Sequence, residues 1–405
     1  MKKYLLDTYA VHKGLVSFAA LLAGTSIAIA QEPAKVSVYG HAQLNAVWED
    51  GVTNASAPNW SYYAPKDNKD GGNRTLINVN HTRFGVNFSG PQSEGGPALT
   101  GKFESDFNAS NSRNNNGVGG FRIRHSFGQV KFNDLGLSLL FGQTGDVISP
   151  RDPSILSEGT NNYSGNIGTR RPQIRITQAF GPAEIAIAAL DDRGASAPKA
   201  PAIQGRLGAK FAAGWAGEGQ NLELGVSGHF AKEKNTDTQK DQPYVKVPSS
   251  YSVNADLLLP IISILSLSGE FFYGQDLSQY SSGSIGLNSK ATSDQPTKLK
   301  DDGVSRYGVK SLGGWANLGL KLPANLAFNG GVGLESISND DDLVPGTRSN
   351  NLSIFTNLRY FFIKEAFVGI EYWRINTDYT KAANGDKTPS GSINRVELAF
   401  NYAFK

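Results

Sequence analysis

The chain has 405 residues, a formal net charge of +3 and no cysteine, which excludes a disulfide scaffold and any thiolate metal site. It carries 46 Gly, 21 Phe and 15 Tyr, and beyond residue 30 no run approaches the ~20 apolar residues a membrane helix requires. The near-neutral charge argues against a nucleic-acid partner, which would need a basic excess.

Residues 1–30 read as a secretory signal. Lys2 and Lys3 open it, Gly14 to Ala23 form a short apolar core, and Ala28-Ile29-Ala30 is a small-residue cleavage pattern. Its removal takes away Lys2, Lys3, Lys13 and Asp7, so the mature chain, residues 31–405, carries about +1.

From Val36 to Trp48 the sequence alternates. Val36, Val38, Ala42, Leu44, Ala46 and Trp48 share one face, and Ser37, Tyr39, His41, Gln43 and Asn45 the other. The pattern slips by one at Thr82 to Gly85, as a β-bulge would cause. It returns where Leu99, Phe103 and Phe107 alternate with Lys102, Glu104 and Asp106. Ile174, Ile176 and Phe180 alternate with Arg171, Gln173, Arg175 and Thr177, and Leu224, Val226 and Phe230 with Glu223, Ser227 and His229. Leu352, Ile354 and Leu358 then alternate with Ser353 and Arg359, and Val396, Leu398, Phe400, Tyr402 and Phe404 with Arg395, Glu397 and Asn401. A charged face on almost every strand suits a wet interior and a lipid-facing exterior. Leu257 to Leu267 departs from this by being apolar on both faces around a turn expected at Pro260-Ile261, as at a subunit contact.

Short turns, such as Asn133-Asp134, Gly181-Pro182, Pro323-Ala324 and Lys364-Glu365, alternate with long loops, such as Gly51 to Thr75, Thr144 to Thr169 and Asp276 to Ser311. The count gives an all-β, transmembrane antiparallel barrel of about sixteen strands, or eighteen if Asp276 to Ser311 hides a hairpin. Closure gives every backbone group a partner in hydrocarbon, and sixteen strands leave an aqueous lumen.

Signal, alternating strands, long third loop and aromatic last strand resemble the trimeric porins of Gram-negative bacteria. Arg83-Phe84-Gly85-Val86, Phe121-Arg122-Ile123-Arg124-His125 leading to Phe141-Gly142-Gln143-Thr144, Gly314-Trp315-Ala316 and Glu371-Tyr372-Trp373 resemble the DcaP-like porins in particular. The resemblance implies a homotrimer of separate pores in the outer membrane, in contact with lipid and lipopolysaccharide. It also implies an inward-folded third loop and uptake of anionic organic acids. Such barrels usually end on an aromatic residue, whereas Phe404 is followed here by Lys405.

A passive channel for small hydrophilic solutes needs a narrow place and a field, with no catalytic residue, metal or cofactor. The third loop brings Asp146, Arg151, Asp152 and Glu158. By alternation Arg122, Arg124, Arg171, Arg175, Arg206, Lys210, Arg359 and Arg395 point inward, as do the acids Glu104, Asp106, Glu371 and Glu397. A guanidinium wall facing loop carboxylates would set a transverse field and favour anions. Each arginine equally admits a paired, wall-stiffening role, as for Arg122 or Arg124 with Glu104 or Asp106 across the hairpin.

The four histidines after the signal show no metal-ligand spacing, and Asp340-Asp341-Asp342 reads as a solvated loop tip rather than a calcium site. Two rivals remain: a barrel serving as adhesin or anchor with a plugged lumen, and a barrel hydrolase. The hydrolase lacks support from His125-Ser126, since neighbours on a strand point to opposite faces.

Overall fold

The computed structural model describes residues 34–51, 63–66, 72–90, 96–109, 120–156, 164–191, 200–232, 249–280, 298, 300–302, 305, 307–381 and 389–405. The expected signal, residues 1–30, and Glu158 lie outside them.

Among the described residues sixteen strands follow in chain order. The first eight are β1 (Lys35–Glu49), β2 (Arg74–Asn78 and Arg83–Ser89), β3 (Ala98–Ala109), β4 (Gly120–Phe132), β5 (Leu137–Gly145), β6 (Arg170–Phe180), β7 (Ala183–Leu190) and β8 (Ala202–Ala212). The others are β9 (Asn221–Ala231), β10 (Ser250–Ile262), β11 (Leu265–Gln275), β12 (Lys310–Leu322), β13 (Leu326–Ile337), β14 (Arg348–Ile363), β15 (Ala366–Tyr379) and β16 (Ser390–Phe404). Each pairs antiparallel with its sequence neighbours, and β1 pairs with β16 from Gly40↔Phe404 to Glu49↔Arg395, closing the barrel. β11 pairs directly with β12 from Leu265↔Leu320 to Gln275↔Lys310, so the two are neighbours in the ring.

Alternation decides which side of the wall each residue takes. Val36, Val38, Leu44, Ile174, Ile176, Val226, Phe230, Ile354, Phe400 and Tyr402 are exposed on the outer face. Gln43, Asn45, Gln173, Asn254, Asn317, Asn357 and Glu397 are buried on the inner one. Apolar outside and polar inside inverts the order of a soluble sheet and matches a wall between lipid and water. Among the described residues no helix is long and apolar enough to cross a membrane.

Three irregularities shape the wall. β2 is interrupted at Val79–Thr82, where the Thr82 N–H turns back on the Val79 carbonyl at 2.9 Å. Its two halves pair with Asn45–Glu49 and Lys35–His41 of β1, and the Gln43 N–H donates instead to Thr82 Oγ1 at 3.1 Å. This break lies where the alternation slips, though it is a full interruption rather than a single bulge. The register of β3 on β4 shifts between Glu104↔His125 and Ser105↔Ile123, so Arg124 and His125 together face Glu104. Finally, the turn expected at Pro260-Ile261 falls three residues later, between Ile262 and Leu265. Pro260 stays in β10 beside a register shift, a place where its missing N–H is tolerated.

Candidate pore site

A cavity of about 940 Å³ lies against the inner faces of β2 to β8. β2, β3 and β4 build its most charged part. Arg124 Nε donates to Glu104 Oε1 at 2.7 Å, and its Nη1 to Asp106 Oδ2 at 3.0 Å. Arg122 Nε donates to Asp106 Oδ1 at 2.8 Å. Lys102 Nζ lies 3.3 Å from Glu104 Oε2, which also accepts from the Tyr39 hydroxyl at 2.7 Å. Arg83 Nε is 3.6 Å from Glu104 Oε1. The cross-hairpin pairs are therefore present, and among the described residues of this cluster two carboxylates meet four cations. Such charge-assisted, near-planar contacts hold the guanidinium groups in fixed orientations.

The bulge at Arg124 adds lining residues that plain alternation misses. It turns His125, Gln129 and Lys131 toward the cavity, and His125 Nδ1 meets Thr144 Oγ1 at 2.9 Å. On β6, Arg175 hydrogen-bonds the Gly145 carbonyl and, at 3.0 Å, Gln173 Oε1, so its bonds go to neutral acceptors. On β8, Arg206 Nη2 donates to Asp256 Oδ1 at 2.9 Å while its Nη1 reaches Glu184 at 3.3 Å. Among the described residues, eight basic side chains line the cavity against four acidic ones, Glu104, Asp146, Asp152 and Glu184. Arg83, Lys102, Arg170 and Lys131 are the basic members absent from the candidates drawn from alternation alone.

Other expected wall charges sit elsewhere. Arg171 is fully buried, with Nε 3.2 Å from Asp146 Oδ2 and its guanidinium 4.0 Å above the Tyr280 ring. Burial pushes the Asp146 carboxyl above the usual aspartate range, against the opposing pull of Arg171 and the Thr169 N–H. Arg395 is buried between Glu49 and Glu397, 2.8 Å from each. Lys210 is exposed and pairs with Glu223 at 3.0 Å. Arg359 lies over the Phe367 ring, and Glu371 is buried with Trp373 Nε1 donating to it at 2.8 Å. Arg171, Arg359, Arg395, Glu371 and Glu397 are thus inner-face residues that do not line the cavity.

The segment between β5 and β6 crosses in front of part of this wall. Its main chain is hydrogen-bonded in turn to side chains of β8, β9, β11, β12, β14, β15 and β1. The Val147 N–H donates to Gln204 Oε1 at 2.9 Å, and the Ile148 carbonyl accepts from Ser227 at 3.3 Å. Ser149 Oγ and the Arg151 N–H donate to Glu270 at 2.7 and 2.8 Å. The Ser154 N–H donates to Asn317 at 3.1 Å, its carbonyl accepts from Asn357 at 2.8 Å, and the Leu156 N–H donates to Glu371 at 2.8 Å. Gln43 Nε2 closes the series on the Leu156 carbonyl at 3.0 Å. Arg151, expected to face the lumen, turns to the wall, 3.1 Å from Glu223 and 3.3 Å from Asp256. On the return, Gly165 holds φ +84° against the Gly314 and Leu334 carbonyls, where a Cβ would collide with both.

Comparison with known proteins now places this barrel. The sequence profile described as DcaP outer membrane protein matches residues 7–191. That match spans a little under half of the chain. Among solved structures it is similar to the outer membrane channel DcaP of Acinetobacter baumannii, with a TM-score of 0.70 at 20% identity over 92% of this chain and 98% of that one. It is also similar to OmpF of Salmonella typhi, solved with daunomycin, with a TM-score of 0.58 at 12% identity over 91% and 98% of the two chains. The trimer form of Vibrio cholerae OmpT gives 0.56 at 12% identity over 92% and 100%. No curated protein sequence matches. The sixteen-stranded barrel described here shares its fold with these outer-membrane proteins.

Proposed function

We propose that this chain is an outer-membrane porin through which small polar solutes and ions diffuse passively, with a preference for anions that extends to small organic acids. Residues 1–30 are its cleaved export signal, the mature barrel sits in lipid and lipopolysaccharide as a homotrimer, and the third loop folds inward as the constriction. The hydrogen bonds from Val147–Leu156 to strands across the barrel support that placement of the loop. One observation carries the anion preference: among the described residues, the cavity beside the loop is lined by eight basic and four acidic side chains. Arginine remains charged at any working pH, and low-dielectric walls focus its field on the path. Arg122, Arg124, Arg175 and Arg206 are the wall charges an anion meets, with Asp152 of the loop facing them.

Planar-bilayer recording in a potassium chloride gradient tests the proposal. Purified protein gives stable conductance steps and a reversal potential of the sign set by chloride. Arg175→Gln, which removes a cation whose hydrogen bonds go to neutral acceptors, moves that potential toward zero. Absence of steps supports a plugged barrel instead, and a potential of the opposite sign overturns the anion preference.

A further inference from the structure

We infer that the third loop sets the sign of this channel's charge selectivity by covering acids of the barrel wall, a step that rests on the porin reading above. The inner face of β9 to β15 carries Glu223, Asp256, Glu270 and Glu371, and none of the four lines the cavity. Each is instead engaged by the loop: Arg151 reaches Glu223 and Asp256, the Ser149 hydroxyl and Arg151 N–H take Glu270, and the Leu156 N–H takes Glu371. Backbone N–H groups carry no formal charge, so the loop satisfies Glu270 and Glu371 without spending a cation on either. Its main chain then lies between these carboxylates and the solute path. On the opposite wall the cluster around Arg122 and Arg124 stays in the cavity. The two walls differ in what the loop leaves exposed more than in how many charges the sequence gives them.

The consequence runs against simple charge counting. Residues 148–167 contain Arg151, Asp152 and Glu158, one net negative charge. If selectivity followed that count, removing the loop would strengthen the preference for anions. If covering is what matters, removal uncovers Asp256, Glu270 and Glu371, takes Arg151 from the partly exposed Glu223, opens a path lined by acids along β9 to β15, and weakens or reverses the preference. Of the cations flanking that wall, Arg206 on β8 already lines the cavity, and Arg395 on β16 stays clamped between Glu49 and Glu397. Arg359 would join the newly opened wall, where Lys210 and Arg206 already pair with Glu223 and Asp256.

The test replaces residues 148–167 with a short Gly-Ser linker and measures conductance and reversal potential beside the unaltered protein. Gly165→Leu serves as a second, charge-neutral variant, because its side chain must push the returning loop off the Gly314 and Leu334 carbonyls. The expected result is a larger conductance in both, a chloride-to-potassium permeability ratio that falls in both, and a reversal potential that changes sign in the loop-deleted form. A larger conductance with an unchanged or higher ratio in either variant overturns the inference. If the loop-deleted form does not fold, the ratio in Gly165→Leu decides alone. Should the unaltered protein form no channel, the porin reading fails rather than this one; should it already prefer cations with the loop in place, the anion preference and this inference both fall.

Discussion

Arg395 gives the sharpest test of the division between structural and pore-facing charges. It is the guanidinium between two fully buried carboxylates, Glu49 on β1 and Glu397 on its own strand, and Glu371 lies directly across from Glu397 on β15. Each 2.8 Å contact is worth about 6 kcal/mol at an effective dielectric of about 20, before the cost of burying the ions is subtracted. Glu49 keeps a second cation, Arg74 at 2.5 Å, whereas Glu397 keeps the Asn45 amide. The loss in Arg395→Met therefore falls mainly on Glu397 and on its like-charged neighbour Glu371. Breaking a buried pair on one side costs on the order of 3–5 kcal/mol, whereas neutralising both sides is often close to neutral. Urea unfolding of the barrel in lipid vesicles reads this out, with Trp373 as the local fluorophore, since its ring stacks on Phe355 at 4.9 Å and donates to Glu371. The double variant Arg395→Met with Glu397→Gln should regain most of the loss. Additivity of the two single variants to within about 0.5 kcal/mol would mean that the residues do not act as a pair, and the reasoning fails. Because Arg395 does not line the cavity, its replacement should leave the reversal potential close to that of the unaltered protein, in contrast to Arg175.

Two further outcomes test the wall itself. Val226 is exposed at the middle of β9, so Val226→Arg puts a charge into hydrocarbon and should cost about 2–4 kcal/mol in the same vesicle titration. Ser227→Arg on the inner face should cost clearly less, and equal costs would contradict the assignment of faces. Ala324 holds φ +59° in the turn from β12 to β13, so Ala324→Gly should stabilise the barrel by about 1 kcal/mol, and a loss of stability would show that the turn is not strained.

The wall was legible because a strand's side chains alternate strictly. Val36 to Trp48 already separates Leu44 from Gln43 and Asn45, and the structure exposes the first and buries the others. The strand number followed from turns whose chemistry is local, such as Gly181 at φ +60°. Parity fails wherever the ladder shifts. Past the bulge at Arg124, His125, Gln129 and Lys131 exchange sides with Ser126 and Val130, and nothing within Phe121-Arg122-Ile123-Arg124-His125 marks the shift. Pro260 misled in the opposite sense: a residue without an N–H reads as a turn, yet a shifted register near a strand end accommodates it equally well.

The charges of the site were less legible than their faces, and the reason is specific. Alternation puts Glu371 and Arg124 on the same inner surface, but their surroundings depend on which backbone crosses in front of them. Leu156 donates its N–H to Glu371, while Arg124 remains in the cavity beside Glu104 and Asp106. A main-chain donor has no residue type, so no composition or motif in Thr144 to Thr169 announces that it will satisfy a carboxylate on a strand more than two hundred residues away. The one legible sign is Gly165, whose φ of +84° and contact with two wall carbonyls tolerate no side chain. A balanced list of inward charges can therefore produce an unbalanced pore. The imbalance is set by the path of a loop, so charge reversals on the covered wall should alter stability first and ion preference second, and those on the open wall the reverse.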